Sequence, residues 1–192
     1  MLLHIRFRRI VTLFFAIAIA FAGLSSLKWI GRTLYPINYK TQISTYSKKY
    51  NIDPFLVAAV IRVESKYNKN ALSTKGARGL MQIAPVTGRW AASEIGILNY
   101  REELLYDPEI NIQIGCWYLS KLKNQFNNNL ELVLAAYNGG SGNVSKWLND
   151  SNYSDDGKSL KYIPFKETEL YIKKVTKTYD IYMKLYSPDY FK

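Results

Sequence analysis

One carboxylate in this 192-residue chain stands where a core residue is expected. In LVAAVIRVESKYN (Leu56–Asn68), Val57, Val60 and Ile61 precede Glu64 by seven, four and three positions. On an α-helix these four side chains share one face. Two readings follow. A carboxyl pressed against apolar neighbours is hard to ionise, because desolvation penalises the charged form; an acid that keeps its proton at neutral pH suits general-acid catalysis. Alternatively, the side chain bends from the end of the stripe into water, as helical Glu commonly does. Spacing alone leaves both open.

The next segment, NKNALSTKGARGLMQIAPVTGRWA (Asn68–Ala91), is rich in turn residues. It holds Ser73, Thr74, Gly76 and Gly79, and sets the amide of Gln82 among apolar neighbours. Such a stretch is either a plain connector or a loop that presents backbone and amide groups along a cleft. Further on, AAYNGG puts Tyr137 and Asn138 at a helix end. A ring that stacks and an amide that bridges hydroxyl or acetamido groups suit a sugar. A core Tyr beside a helix C-cap is the equal alternative. Other chemistries are excluded by what is missing. The single histidine, His4, lies at the far amino terminus, which removes Ser/His/Asp catalysis and most zinc sites. The single cysteine, Cys116 in IGCWYL, cannot form an internal disulfide and reads as a small buried hydrophobe. No metal or cofactor is expected.

The elements that must position these residues read as helices with capped starts. Asp53-Pro54 and Asp107-Pro108 each offer an Asp N-cap and a Pro at the first helical position. The first predicts a helix to about Lys66. The second predicts one to about Phe126, with Ile110, Ile114, Trp117 and Leu122 among its apolar positions. Asn129 or Asn128 caps a third, LELVLAAYN, that ends at Gly139-Gly140. Short helices are expected after Pro85 and over Ser141–Leu148, and a long amphipathic one from about Phe165. With no convincing alternating strands, the fold class is all-α, with one domain over 45–188.

The amino terminus differs. HIRFRR precedes IVTLFFAIAIAFAGLSSL, an uncharged apolar run of 18 residues from Ile10 to Leu27. A cationic stretch before such a run is a membrane anchor or an export signal. An uncleaved single-pass anchor over 1–27 is expected, with Trp29 and Tyr35 at the interface and the domain outside the cytoplasm. Cleavage near Ala20-Phe21-Ala22, giving a secreted protein, is the alternative. Residues 28–44 read as a basic tether. The net charge of +11 resembles that of a nucleic-acid binder until it is located: the first 52 residues hold eight Lys/Arg and no acid. The body is nearly balanced, so nucleic acid is not expected as a partner. Anionic headgroups or wall polymers are better candidates.

Taken in order, Glu64-Ser65, ALSTKGARGLMQI, DPEINIQIGCWYL, AAYNGG and PFKETELYIKKV resemble the catalytic domain of the soluble lytic transglycosylases. The resemblance runs from about Tyr50 to Tyr179 and implies the lysozyme-like all-α fold of goose-type lysozyme. It further implies cleavage of the β-1,4 bond between N-acetylmuramic acid and N-acetylglucosamine in bacterial peptidoglycan; a monomer is expected. By the same resemblance Glu64 is the single catalytic acid/base. Ser73, Gln82, Tyr137 and Asn138 line the glycan groove, and Glu167 is a polar residue beside it. One position departs: Ala84 stands where relatives often carry Met before the proline. Two alternatives remain, a hydrolytic muramidase of the same fold and a catalytically silent wall-binding module.

Overall fold

The computed structural model describes residues 28–191, so the expected anchor over 1–27 lies outside the described residues. The chain divides into two compact units, residues 1–36 and 37–192. Of the first, residues 28–34 are helical, with Trp29, Ile30 and Leu34 exposed. Among the described residues no helix is long and apolar enough to cross a membrane.

The second unit begins before the expected boundary at 45. Helix α1 (Lys40–Tyr50) buries Ile43, Tyr46 and Ser47 against the body, and stops at Asn51 in left-handed backbone. Lys48 and Lys49 in its last turn complement the helix dipole. Residues 40–44 are therefore part of the packed domain rather than a tether. At the other end, Phe191 is also buried, its ring 5.0 Å from that of Phe55.

Helix α2 (Pro54–Ser65) starts as the sequence implies: the Asp53 carboxylate accepts from the N–H groups of Phe55 (2.8 Å) and Leu56 (3.2 Å). Its residues 55–61 are all buried, not only those of one stripe. A helix apolar all round belongs inside a bundle. Helix α2 lies between α1 and the long C-terminal helix. Helix α3 (Pro85–Ile95) and a 3₁₀ turn (Glu102–Tyr106) lead to α4 (Pro108–Gln125), capped by Asp107 as predicted. Helix α5 (Leu130–Gly139) is capped by Asn129 and buries Leu132 through Ala136. Helix α6 (Ser141–Leu148) follows Gly140. Helix α7 (Lys166–Leu185) buries Thr168, Tyr171, Val175, Thr178 and Tyr182, an alternating three-and-four spacing that lays one face on α2 and α5. Each fully buried Leu or Ile contributes about 1.5–3 kcal/mol. The described residues form no β-strand, only bridges of Arg78 with Leu72 and Ile83. The chain is all-α.

Candidate active site

Glu64 is the penultimate residue of α2, half-buried where the helix emerges from the core. The chain then turns sharply, because Lys66 and Tyr67 both adopt left-handed backbone (φ 51° and 65°). Two bonds fix that turn. Ser65 Oγ donates to the Leu80 carbonyl at 2.8 Å, and the buried Tyr67 hydroxyl donates to the Ala58 carbonyl at 3.2 Å.

The loop that follows is shaped by backbone pairing and one buried amide. Arg78 and Ile83 exchange both backbone bonds at 3.0 Å, and Gly79 N–H donates to Ala71 at 2.9 Å. Asn111 of α4, wholly buried, donates to the carbonyls of Leu105 (2.7 Å) and Arg78 (2.9 Å) and accepts from Met81 N–H (2.8 Å). Gly79 has φ +76°, and a Cβ there would lie 2.1 Å from the Leu105 carbonyl oxygen. No other residue fits. Gln82 also takes positive φ (47°), its Nε2 donating to Ala71 and Gly79.

Helices α5 and α7 close the site. The Tyr137 hydroxyl donates to the Met81 carbonyl at 2.9 Å, so the ring, rather than the hydroxyl, is what Tyr137 offers a ligand. Thr168 donates to Asn138 Oδ1 at 2.8 Å, which orients that amide. Ser73 Oγ accepts from Ala77 N–H at 2.9 Å and retains its own proton to donate.

Glu64, Ser73, Gln82, Tyr137, Asn138 and Glu167 all line one cavity of about 300 Å³, together with Thr74, Lys75, Ala77 and Ala84. A second cavity of about 290 Å³ shares Gln82, Ala84, Tyr137 and Asn138 with it, and adds Thr87, Tyr118, Gly139 and Gly140. A larger one, about 500 Å³, lies between α1 and the C-terminal turn. It contains no carboxyl, so volume alone does not identify the chemistry.

Burial raises the Glu64 pKa from its usual range to about 7. The Tyr171 hydroxyl opposes that shift, and the Glu167 charge adds to it. Burial first, and then the Glu64 charge, hold the phenols of Tyr137 and Tyr171 well above their ordinary value. Glu167 sits at the exposed rim, its Oε2 4.0 Å from Lys75 Nζ. The arrangement offers a carboxyl that keeps its proton about half the time at neutral pH, beside amide, hydroxyl and aromatic groups able to hold a sugar.

Sequence reasoning missed Tyr171 and Asn111. The first follows Glu167 by four positions, so both share a face of α7, and that spacing was a usable signal. The second is an Asn on the buried face of a helix, with nothing nearby in sequence to name its partners.

Residues 41–160 match the family described as the transglycosylase SLT domain. The soluble lytic murein transglycosylase of Salmonella typhimurium is 38% identical over 152 residues, which cover 78% of this chain and 23% of that protein. Membrane-bound lytic murein transglycosylase E of Buchnera aphidicola is 44% identical over 99 residues, covering 49% of this chain and 47% of that protein. The crystal structure of the 70 kDa soluble lytic transglycosylase of Escherichia coli superposes with a TM-score of 0.71 at 33% identity, over 82% of this chain and 27% of that one. The chain thus spans about a quarter of the length of the soluble relatives it matches.

Proposed function

The chain belongs to the transglycosylase SLT family, and we propose that it is a lytic transglycosylase acting on peptidoglycan, at the β-1,4 bond between N-acetylmuramic acid and N-acetylglucosamine. The observation that carries this reading is the Glu64 carboxyl, its pKa lifted to about 7 in a cavity walled by Ser73, Gln82, Tyr137 and Asn138. Glu64 protonates the glycosidic oxygen as the C1–O4 bond breaks. The 2-acetamido oxygen of the muramyl unit attacks C1 and forms an oxazolinium ion. The Glu64 carboxylate then takes the proton of the muramyl 6-hydroxyl, whose oxygen displaces the acetamido group from C1. A 1,6-anhydro ring closes and Glu64 is protonated again. Neither water nor a second carboxyl enters. Ser73, Gln82 and Asn138 hold the glycan, and Glu167 at the rim raises the Glu64 pKa.

One observation supports a second reading. Glu167 is distant in sequence yet lines the same cavity, and a pair of carboxyls is what a hydrolytic muramidase uses. Its exposure and its proximity to Lys75 favour the rim role. Mass analysis of purified glycan treated with the full chain separates the two. The transglycosylase releases anhydro-muropeptides, lighter by one water than the reducing-end products of hydrolysis; Glu64→Gln releases neither. Reducing ends alone would overturn the proposal.

The apolar run from Ile10 to Leu27 supports a single-pass anchor that holds the domain on the outer side of a bacterial membrane, where its polymer lies. Both membrane-bound and soluble relatives carry this domain. The domain is read as acting alone, as a monomer.

A further inference from the structure

A series of aromatic rings runs outward from the Glu64 cavity. Tyr137 lines that cavity and the second one; its ring centroid lies 5.6 Å from that of Tyr118, which lines only the second. Tyr118 in turn lies 6.3 Å from Trp90. Trp90 borders neither cavity and is 47% exposed. Its indole is nonetheless held in place: it packs edge-to-face on the buried Trp117 at 4.7 Å and again on Tyr118. Helical spacing puts Trp90 beside Thr87, which lines the second cavity, and Val86, which is also exposed. An isolated exposed apolar residue is ordinary. This one is oriented by two other rings, one of which, Tyr118, lines the second cavity.

Building on the reading of this groove as a glycan cleft, we propose that Trp90 is a distal stacking platform for a sugar ring of the same strand, beyond those held at Glu64 and in the second cavity. The substrate class is a linear polymer of N-acetylated hexosamines, whose rings present C–H faces to an aromatic plane. A platform already fixed by packing binds without the entropic cost of ordering a side chain. Ala84, Gly139 and Gly140 put no long side chain across the passage between Tyr137 and Thr87. The charges that flank it on the same helix are paired, Arg89 with Glu102 at 2.5 Å and Glu94 with Lys121 at 3.4 Å. Contact here is therefore by stacking rather than by ion pairing.

Trp90 then sets a preference for long strands, and the test reads that preference in the full chain. Two substrates are compared: long glycan strands and a tetrasaccharide muropeptide. The variants are Trp90→Ala, Trp90→Leu, which fills volume on Trp117 without a π face, and Trp90→Tyr. The expected result for Ala and Leu is a roughly tenfold fall in kcat/KM on long strands, carried by KM, and a fall below about twofold on the tetrasaccharide. Trp90→Tyr recovers most of the loss. Equal falls on both substrates, or no fall on long strands, would overturn the proposal. A second measurement stands apart from catalysis. In Glu64→Gln, binding of the N-acetylglucosamine hexamer should weaken with Trp90→Leu while binding of the trimer changes little. If wild type yields no anhydro products, the enzymatic reading fails, and this binding comparison still decides for or against the platform.

Discussion

The Tyr171 hydroxyl lies buried beside the Glu64 carboxyl and makes no hydrogen bond of ordinary geometry to any described group. It is nonetheless close enough to favour the ionised carboxylate, and so lowers a pKa that burial has raised. Removing it as Tyr171→Phe should push the Glu64 pKa further up. The alkaline limb of the kcat/KM profile then moves to higher pH by on the order of half a unit. Because Glu64 is the hydroxyl's one hydrogen-bonding contact, its loss should cost the fold little. A pH–rate series with the limb unmoved or moved downward contradicts this.

Glu167 acts in the opposite sense. Its charge raises the Glu64 pKa, so Glu167→Gln should shift the same limb to lower pH. Under the transglycosylase mechanism the variant keeps anhydro product formation, with a loss of no more than about tenfold through weaker glycan contact. A loss of about a thousandfold or more, as for an essential catalytic carboxyl, would favour the hydrolase. Product mass spectra and rates decide together.

Glu64 also makes stability depend on pH. Its folded-state pKa of about 7 exceeds the 4.5 of an ordinary Glu. The folded protein therefore holds this proton more tightly than the unfolded chain does. The resulting penalty is absent below about pH 4.5, grows between there and about pH 7, and is complete above. Glu64→Gln should accordingly be more stable than wild type above about pH 8, by on the order of 2–3 kcal/mol, and nearly equal to it near pH 4. Paired thermal melts at the two pH values check the sign; greater stability of wild type at the alkaline value would refute the buried-acid account.

Asn111 supports the groove wall through three bonds. Asn111→Ala strips Met81 N–H and the Leu105 carbonyl of this partner in a buried place, while the Arg78 carbonyl keeps its bond from Ile83 N–H. A loss of about 2–4 kcal/mol is expected. Hydrogen exchange should speed first at residues 78–83, ahead of α2 and α5. Uniform acceleration across the chain would instead point to a general core defect.

What was legible in the sequence was chiefly local. Asp53-Pro54, Asp107-Pro108, Asn129 and Gly139-Gly140 bracket their helices in the structure, because caps and breakers act within a few residues. Helix α1 escaped notice since KTQISTYSKKY carries few apolar residues, Ile43 and Tyr46 among them, too few to show a period. The apolar stripe of α2 was visible, but its burial on every side was not: that depends on α1 and α7, which close over it from distant parts of the chain. The same limit hid Asn111, whose partners lie up to 33 residues away. The indole-to-indole contact of Trp90 with Trp117 joins two helices and had no signature in either segment alone.

The loop that walls the groove keeps its shape in large part through residues set away from the ligand side. Asn111 ties it to α4, Gly79 lets it pass the Leu105 carbonyl, and Gly115 leaves room for Met81, which a Cβ there would approach to 2.2 Å. Thr74, Lys75 and Ala84, which do line the cavity, take no part in that support. Ser73, Gln82 and Tyr137 thus serve both loop shape and ligand contact, whereas Thr74, Lys75 and Ala84 serve only the second. A lineage can exchange those three positions to follow a change of ligand while the loop keeps its shape, and substitutions at 74, 75 and 84 are where such divergence is cheapest.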